Sequence, residues 1–337
     1  MNKKRILSFI AVAILTFTAA TAQRISVINE NGETSIYRTL QQAIEEADPG
    51  STIYLPGGGF SIADSVKITK RLTIIGIGHK SDNENADGST IISGNLWFNA
   101  GSSGSAIMSC YITGNVNIGE GDATVNDITI KFCNLNSVQV NNYTCQETVV
   151  SQNYIRNNSL FGDSNAHISN NVIHSIGDVN GGHISNNIVT NCFDAGYWDR
   201  NHHYVSIKAN NSQLFQNILT SIGLSGTWAV WDFFNGSNNT INENMSDRDF
   251  GDNPINLGDV DWNNVFNNYN GGAITPVSKF HFKGDYSGYE HQVGIYAGDG
   301  FNEDQLAPVP YIVSKNIPQQ TDAAGKLNIK IRVKAGE

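Results

Sequence analysis

Cysteine is scarce in this chain: four residues in 337, at Cys110, Cys133, Cys145 and Cys192. That is too few for a disulfide scaffold, so the core must come from burial. A chain of this length can supply one. Charge is scarce too, at 15% of residues, and positive charge most of all, with 21 Lys and Arg against 31 Asp and Glu. A net charge of −10 argues against nucleic acid and anionic lipid as partners. It also makes a polyanion such as pectate or alginate a poor electrostatic match. Long apolar runs are missing except for Ile6 to Phe17, which is too short to span a membrane comfortably.

That run follows Lys3, Lys4 and Arg5 and precedes Ala20-Thr21-Ala22. Basic start, apolar middle and small-x-small end are the parts of a secretory signal peptide, expected over residues 1–22 with cleavage after Ala22. No Cys follows the cut, so a lipid anchor is not expected. Removal of three basic residues brings the net charge to about −13. The mature chain is expected to be secreted, periplasmic or at the cell surface, without membrane insertion, and monomeric.

Asparagine is abundant, with 43 residues, and so is glycine, with 33. The apolar residues between them are regularly placed. The phrase His-Ile-Ser-Asn-Asn occurs at 167–171 and again at 183–187. Alignment on apolar-x-x-Asn gives IMSC (107–110), IKFC (130–133), VSQN (150–153), ISNN (168–171), ISNN (184–187), LFQN (214–217), INEN (241–244) and VFNN (265–268). The fourth position reads Cys110, Cys133, Asn153, Asn171, Asn187, Asn217, Asn244, Asn268. Two residues later stand Ile112, Leu135, Ile155, Ile173, Val189 and Leu219, before Ser246 and Asn270 break the column.

Self-similarity at 16 to 30 residues is the mark of a solenoid. The units are short, β-branched and punctuated by Asn and Gly, so each should be a few short strands joined by turns. Stacked units of that kind form a parallel β-helix with coils about 4.8 Å apart. Asn is expected at the turns because it tolerates left-handed backbone angles, and its amide can bond to the Asn above and below. The 30- and 27-residue steps carry roughly ten residues more than the shortest coil needs. These should loop outward, where function tends to sit.

Before the coils comes YRTLQQAIEEADPGSTIYLPGGGF (37–60). Thr39 and Gln42 have capping-box spacing, and Leu40, Ala43, Ile44 and Ala47 line one helical face. Asp48-Pro49-Gly50 ends the helix, and Thr52 to Leu55 begins a strand. Such a helix would cover the open end of a solenoid. This stretch, with VKITKRLTIIGIG (66–78), resembles the N-terminal cap and first coils of pectate-lyase-like right-handed parallel β-helix proteins. HQVGIYAG and PVPYIVSKNIPQQTDAAGKLNIKIRVKAG are similar to the tail of a group of exported bacterial β-helix proteins. The resemblance implies an all-β fold, a right-handed single-stranded parallel β-helix with an N-terminal capping helix and C-terminal closing strands. The expected divisions are signal peptide 1–22, cap and first strand 23–60, coils 61–280 and closing segment 281–337.

The family's best-known catalytic series are missing. There is no Asn-Thr-Asp, Asp-Asp, His-Gly and Arg-Ile-Lys set for a polygalacturonase, and no Arg-x-Pro-x-x-Arg for a pectate lyase. Lysine is scarce through the middle coils, Lys208 excepted. The remaining place to look is the long coils, CFDAGYWDRNHHYVSIK (192–208) and GLSGTWAVWDFFNGSNN (223–239), with a third excursion at 246–262. Tyr197, Trp198, Tyr204, Trp228, Trp231 and Trp262 lie here, and flat apolar sugar faces stack on such rings. The same aromatics could instead fill a small secondary core beneath the loops. Asp199, Arg200, His202 and Asp232 are the catalytic candidates. Paired carboxylates would serve glycoside hydrolysis, and an Arg with a His would serve β-elimination.

His167 and His183 occupy matching places and should be adjacent, outward imidazoles. No third ligand is evident, so no metal site is expected. Asp178 and Asp194 share a column and could make a weak Ca2+ site. Cys110 and Cys133 replace Asn on successive coils and are expected as buried free thiols. Two functions remain open: a protein that binds an extracellular polysaccharide, with or without cleaving it, and a non-enzymatic adhesin or structural protein that meets other proteins.

Overall fold

The computed structural model describes residues 24–80, 88–162, 165–198, 201–220, 229–247, 252–258, 260–267, 269, 280–318, 320–322 and 324–334. Its regular structure is almost entirely β, in two large sheets and a small one. The first large sheet has eleven strands. From Thr52–Tyr54 to Thr240–Asn242 they run parallel, in chain order. An antiparallel pair, Ile25–Ile28 and Thr34–Tyr37, completes one edge. After each parallel strand the chain crosses to the second sheet and returns one place further along.

The register explains the repeat. Ile53, Ile74, Ile107, Ile130, Val150, Ile168, Ile184 and Leu214 are successive partners, and every one is at 0% exposure. In the second sheet Ile92, Ile112, Leu135, Ile155, Ile173, Val189 and Leu219 form the facing inner column, also at 0%. Each such side chain is worth about 1.5–3 kcal/mol when taken from water. One pair of strands therefore cannot bury its apolar face alone, and pairing along the two parallel sheets is what stabilises it.

The turn between these columns is built differently from expectation. The left-handed residue is the one before the column of Cys110, Cys133 and the ladder Asn: Ser109, Phe132, Gln152, Asn170, Asn186, Gln216 and Glu243 have φ between 53° and 57°. The Asn itself is free to serve as a cross-coil connector. Asn187 Oδ1 accepts from the backbone N of Asn171 at 3.0 Å and from its Nδ2 at 3.0 Å. The pattern repeats from Asn153 to Asn171, from Asn187 to Asn217 and from Asn217 to Asn244. The left-handed position needs no Asn because the pairing on both sides holds its backbone.

Two further expectations are corrected. VFNN is not a coil: Val265 ends the short helix Trp262–Val265, and Asn268 lies outside the described residues. The stack instead continues through Asp252, bridged to Asn242, and Ile255–Asn256, paired with Met245–Ser246. The helix Leu40–Glu46 buries Leu40, Ala43 and Ile44, and Thr39 accepts from the Gln42 backbone N at 3.2 Å. The reciprocal half of the capping box is absent, because the Gln42 amide donates to Glu46 one turn on.

Residues 284–306 run back along the outside of the second sheet as a strap. Gly294 N donates to Gln216 O at 2.8 Å, Asn170 Nδ2 to the carbonyls of Ile295 and Ala297, and Asn302 N to Gln152 Oε1 at 2.8 Å. Lys80 donates to the Glu303 carbonyl near the far end. Beneath lie Tyr154, Val172, Ile188, Ile218 and Met245, the outward residues of successive strands, packed with Val293, Ile295 and Phe301 as a second core. These strands are apolar on both faces, as parallel strands covered on both sides should be. The chain ends in an antiparallel hairpin, Tyr311–Asn316 with Lys330–Lys334.

Candidate functional site

The two long steps of the repeat form one three-stranded arm. Strand Phe193–Trp198 pairs antiparallel with Asn201–Asn210, and Ala229–Asn235 pairs parallel on its other side. The second half of the central strand belongs to the stack: Val205, Ile207 and Ala209 are buried, and Ile207 and Ala209 pair with Ile176 and Val179. Among the described residues, the first half, 201–204, is flanked only by the other two arm strands. Alternating aromatic and β-branched residues suit both settings.

The register sets Tyr197 and Ala229 on either side of His202, and Asp194 and Trp231 on either side of Tyr204. Trp198 pairs with Asn201, and Asp232 with Val205. Of Tyr197, Trp198, His202, Trp231 and Asp232 the backbone is described, and Asp199, Arg200 and Trp228 lie outside the described residues. Tyr204 is half-buried. Trp262 belongs elsewhere. It is 3% exposed and stacked on Phe266, with ring centroids 5.7 Å apart at 14°. It therefore offers no face to a sugar. The helix cap at Asp261 turns it into the second core.

The Asp178–Asp194 column is likewise broken. Strand Phe193–Trp198 is turned antiparallel, so Asp194 meets Tyr204. Asp178 instead pairs with Lys208, Oδ1 to Nζ at 2.6 Å. Among the described residues no group of three or more His, Cys, Asp or Glu is placed to hold a metal ion.

Beside the arm, the outer face of the second sheet carries a row that the repeat alignment did not include. Lys67, Trp97, Asn117, Gln139, Leu160 and Gly177 are successive register partners. At about 4.8 Å per coil the row is roughly 24 Å long. Leu160 is 39% exposed, and Trp97 and Gln139 are half-buried. A Cβ on Gly177 would lie 2.7 Å from Leu160 Cδ2 and 3.5 Å from the Phe193 ring, so Leu160 and Phe193 close over this glycine and join the row to the base of the arm. Gln139 Nε2 is held by Ser137 Oγ at 3.1 Å and by the Asn158 carbonyl at 3.0 Å. The signal available in sequence was the outward position in each strand, visible only once the register is known.

All four cysteines are buried thiols outside any disulfide. Burial pushes the Cys110 thiol well up, with its neighbour Cys133 adding to the effect, and pushes Cys133 up to about 12. A thiolate is the reactive form, so these are inert.

A cluster of ionisable side chains in the closing segment was missed in sequence. His281 Nδ1 meets Glu290, and its Nε2 lies 2.7 Å from Glu303 Oε1. Tyr296 stacks on the imidazole at 4.1 Å and 6° and donates to Glu303 Oε1 at 2.6 Å. Burial first, and then the Glu303 bond, drives the Tyr296 phenol far up. Ionised carboxylates only accept, so holding both imidazole contacts needs a second proton on the ring or on one carboxyl. Each group is spent on another, and Glu290 Oε2 also accepts from Phe282 N at 2.8 Å. The group ties strap to core.

Comparison of the chain with family models, with curated proteins and with solved structures finds no match.

Proposed function

We propose that this protein is an exported, monomeric parallel β-helix of the pectate-lyase-like kind that binds an extracellular polysaccharide. The helix Leu40–Glu46 would cap one end. The glycan would lie along the Trp97–Leu160 row and against the arm formed by the two long coils. The observation that carries this reading is the register. It gathers Tyr197, His202, Tyr204 and Trp231 into one arm whose base meets an amide-and-apolar row long enough for several sugar units. Sugars are held by apolar stacking together with placed amides, which an acidic chain can offer to a neutral glycan without repulsion. Cleavage, if present, falls to Asp199, Arg200, His202 and Asp232 in the arm. Neither nucleic acid nor membrane insertion is part of this reading, nor is a cofactor.

The test is tryptophan fluorescence of the mature protein titrated with plant, algal and host polysaccharides, with each mixture scanned near 235 nm and for reducing ends. Saturable quenching lost in Trp97→Ala and Trp231→Ala supports the reading. New absorbance or new reducing ends assigns a lyase or a hydrolase. Absence of binding across the panel removes it.

A second reading, a surface protein that contacts other proteins, draws on the terminal hairpin. There Ile331 and Val333 are 54% and 57% exposed, with Leu327 and Ile329 exposed just before them. An isolated two-stranded hairpin is marginal in water, and an exposed apolar stripe on it invites a partner.

A further inference from the structure

The outer face of the first sheet holds a feature independent of the arm. His167 and His183 are direct register partners on adjacent strands, and Gln213 is the next residue in the row. The two imidazoles have centroids 6.1 Å apart at 37°. They open on a cavity of about 540 Å³, lined also by Asn165, Gly181, Gly182 and Asn211. The hollow sits on the 16-residue step between the two His-Ile-Ser-Asn-Asn phrases. Gly181 turns the corner with φ +70, and a Cβ there would stand 2.9 Å from Asn165 Oδ1. Glycine both permits the turn and leaves the space empty.

The nitrogen atoms are arranged for ligation. His183 Nδ1 lies 3.2 Å from Gln213 Oε1. An amide oxygen only accepts, so Nδ1 carries the proton and Nε2 keeps its lone pair. That is the outer-shell bond by which metal-binding imidazoles are oriented. Among the described residues, neither ring nitrogen of His167 is held by a hydrogen bond. The spacing fits as well. An imidazole-bound ion sits about 2.1 Å from nitrogen, hence about 3.2 Å from the ring centre. Two rings sharing one ion then have centres about 5 Å apart at a tetrahedral angle and about 6.4 Å apart when opposed. The observed 6.1 Å lies inside that span.

We propose that His167 and His183 form a two-imidazole site for a divalent late transition ion, bound most tightly as Cu2+ and also as Ni2+ or Zn2+. Gln213 positions His183, and water or a donor-bearing molecule in the hollow completes the coordination. The lining contains amides and no carboxylate, so hard ions such as Ca2+ and Mg2+ are refused. The two ligands come from different rounds, so the ion also clips adjacent coils together.

The experiment is calorimetric titration of the mature protein, free of any polyhistidine tag, with Cu2+ and Zn2+ at neutral pH. Electron paramagnetic resonance of the Cu2+ form counts the bound nitrogens. The expected result is one ion per chain with two imidazole nitrogens. Affinity should fall at least about tenfold in His167→Ala and in His183→Ala, and about tenfold in Gln213→Ala. It should be unchanged in His291→Ala, on the strap. Circular dichroism of each variant establishes that the fold is kept. In case a variant does not fold, imidazole resonances of the unmodified protein titrated with Zn2+ give a second reading, in which His167 and His183 should shift together. Affinity unchanged from that of the unmodified protein in either histidine variant, resonances of other histidines moving instead, or displacement by millimolar Ca2+ would overturn the assignment.

Discussion

Replacing Asn187 by alanine tests the physics of the stack most directly. Asn187 is at 0% exposure. Its Oδ1 accepts both the backbone N and the Nδ2 of Asn171 at 3.0 Å. Its Nδ2 reaches Ile168 O at 2.8 Å and Asn217 Oδ1 at 2.9 Å. Alanine leaves the buried Asn171 backbone N without an acceptor and its Nδ2 with Val150 O alone, and takes a donor from Ile168 O, Ser185 O and Asn217 Oδ1. An orphaned buried group costs about 1–3 kcal/mol. One orphaned donor, one half-satisfied amide and three partly compensated acceptors therefore give an expected loss of about 3–5 kcal/mol. Asn157→Ala is the matched control. Its Nδ2 also bonds to an Asn on the coil before, Asn136 Oδ1 at 2.8 Å, but Asn157 is exposed. Water replaces that partner, and the expected loss is below about 0.5 kcal/mol. Urea unfolding followed by circular dichroism reads both, as midpoints at unchanged slope. If Asn187→Ala costs no more than Asn157→Ala, the buried ladder does not hold the coils together and the account of the repeat is wrong.

Alkali should unfold the protein through groups that are neutral when folded. Burial holds Cys133 at about 12 and Cys192 at about 11, above the ordinary 9.0, and Tyr269 at about 12, above 10.0. The unfolded chain releases these protons first, so their contribution is intact below about pH 9 and declines as pH rises toward 11–12, by about 1.4 kcal/mol per pH unit for each group. A melting temperature flat from pH 8 to 11 would refute this, as would reaction of the native thiols with a disulfide reagent at pH 8. Gly294→Ala should loosen the strap. Gly294 has φ +73, and a Cβ would stand 2.4 Å from Ile218 Cδ1. The expected loss is about 1–3 kcal/mol, with new protease cleavage within 284–306. Gly300→Ala, with φ +75 and open space around it, should cost only the backbone term and leave the strap resistant.

Much of the β-architecture could be read from residue order, because stacked rounds repeat their chemistry. An inner column has to stay apolar from coil to coil, so Ile107 through Leu214 announce themselves. A buried Asn that bonds to the next Asn has to recur at the same place. The short helix was readable from Thr39 and its apolar face. The errors came where the repeat stops constraining the chain. VFNN matched the pattern by composition, yet Val265 closes a helix whose Trp262 fills the second core. Asp194 matched Asp178 by counting, but it lies on a strand that runs antiparallel to Asn201–Asn210, and Lys208 takes the place beside Asp178.

What the sequence determined by itself is therefore the local, periodic part: parallel strands, inner columns, the Asn connector and the two places where the chain leaves the stack. Each depends on neighbours one round away and so leaves a mark at fixed spacing. Only the tertiary structure decided which outward residues share a row, that Tyr204 meets Trp231, that Gln213 orients His183, and that the tail runs back over Tyr154 to Met245 rather than ending beyond the last coil. Those contacts join segments up to 226 residues apart, as at His79 and Gln305, and no periodic signal records them. They are set by register and by the burial of a second apolar face, which exist only once the coils have stacked.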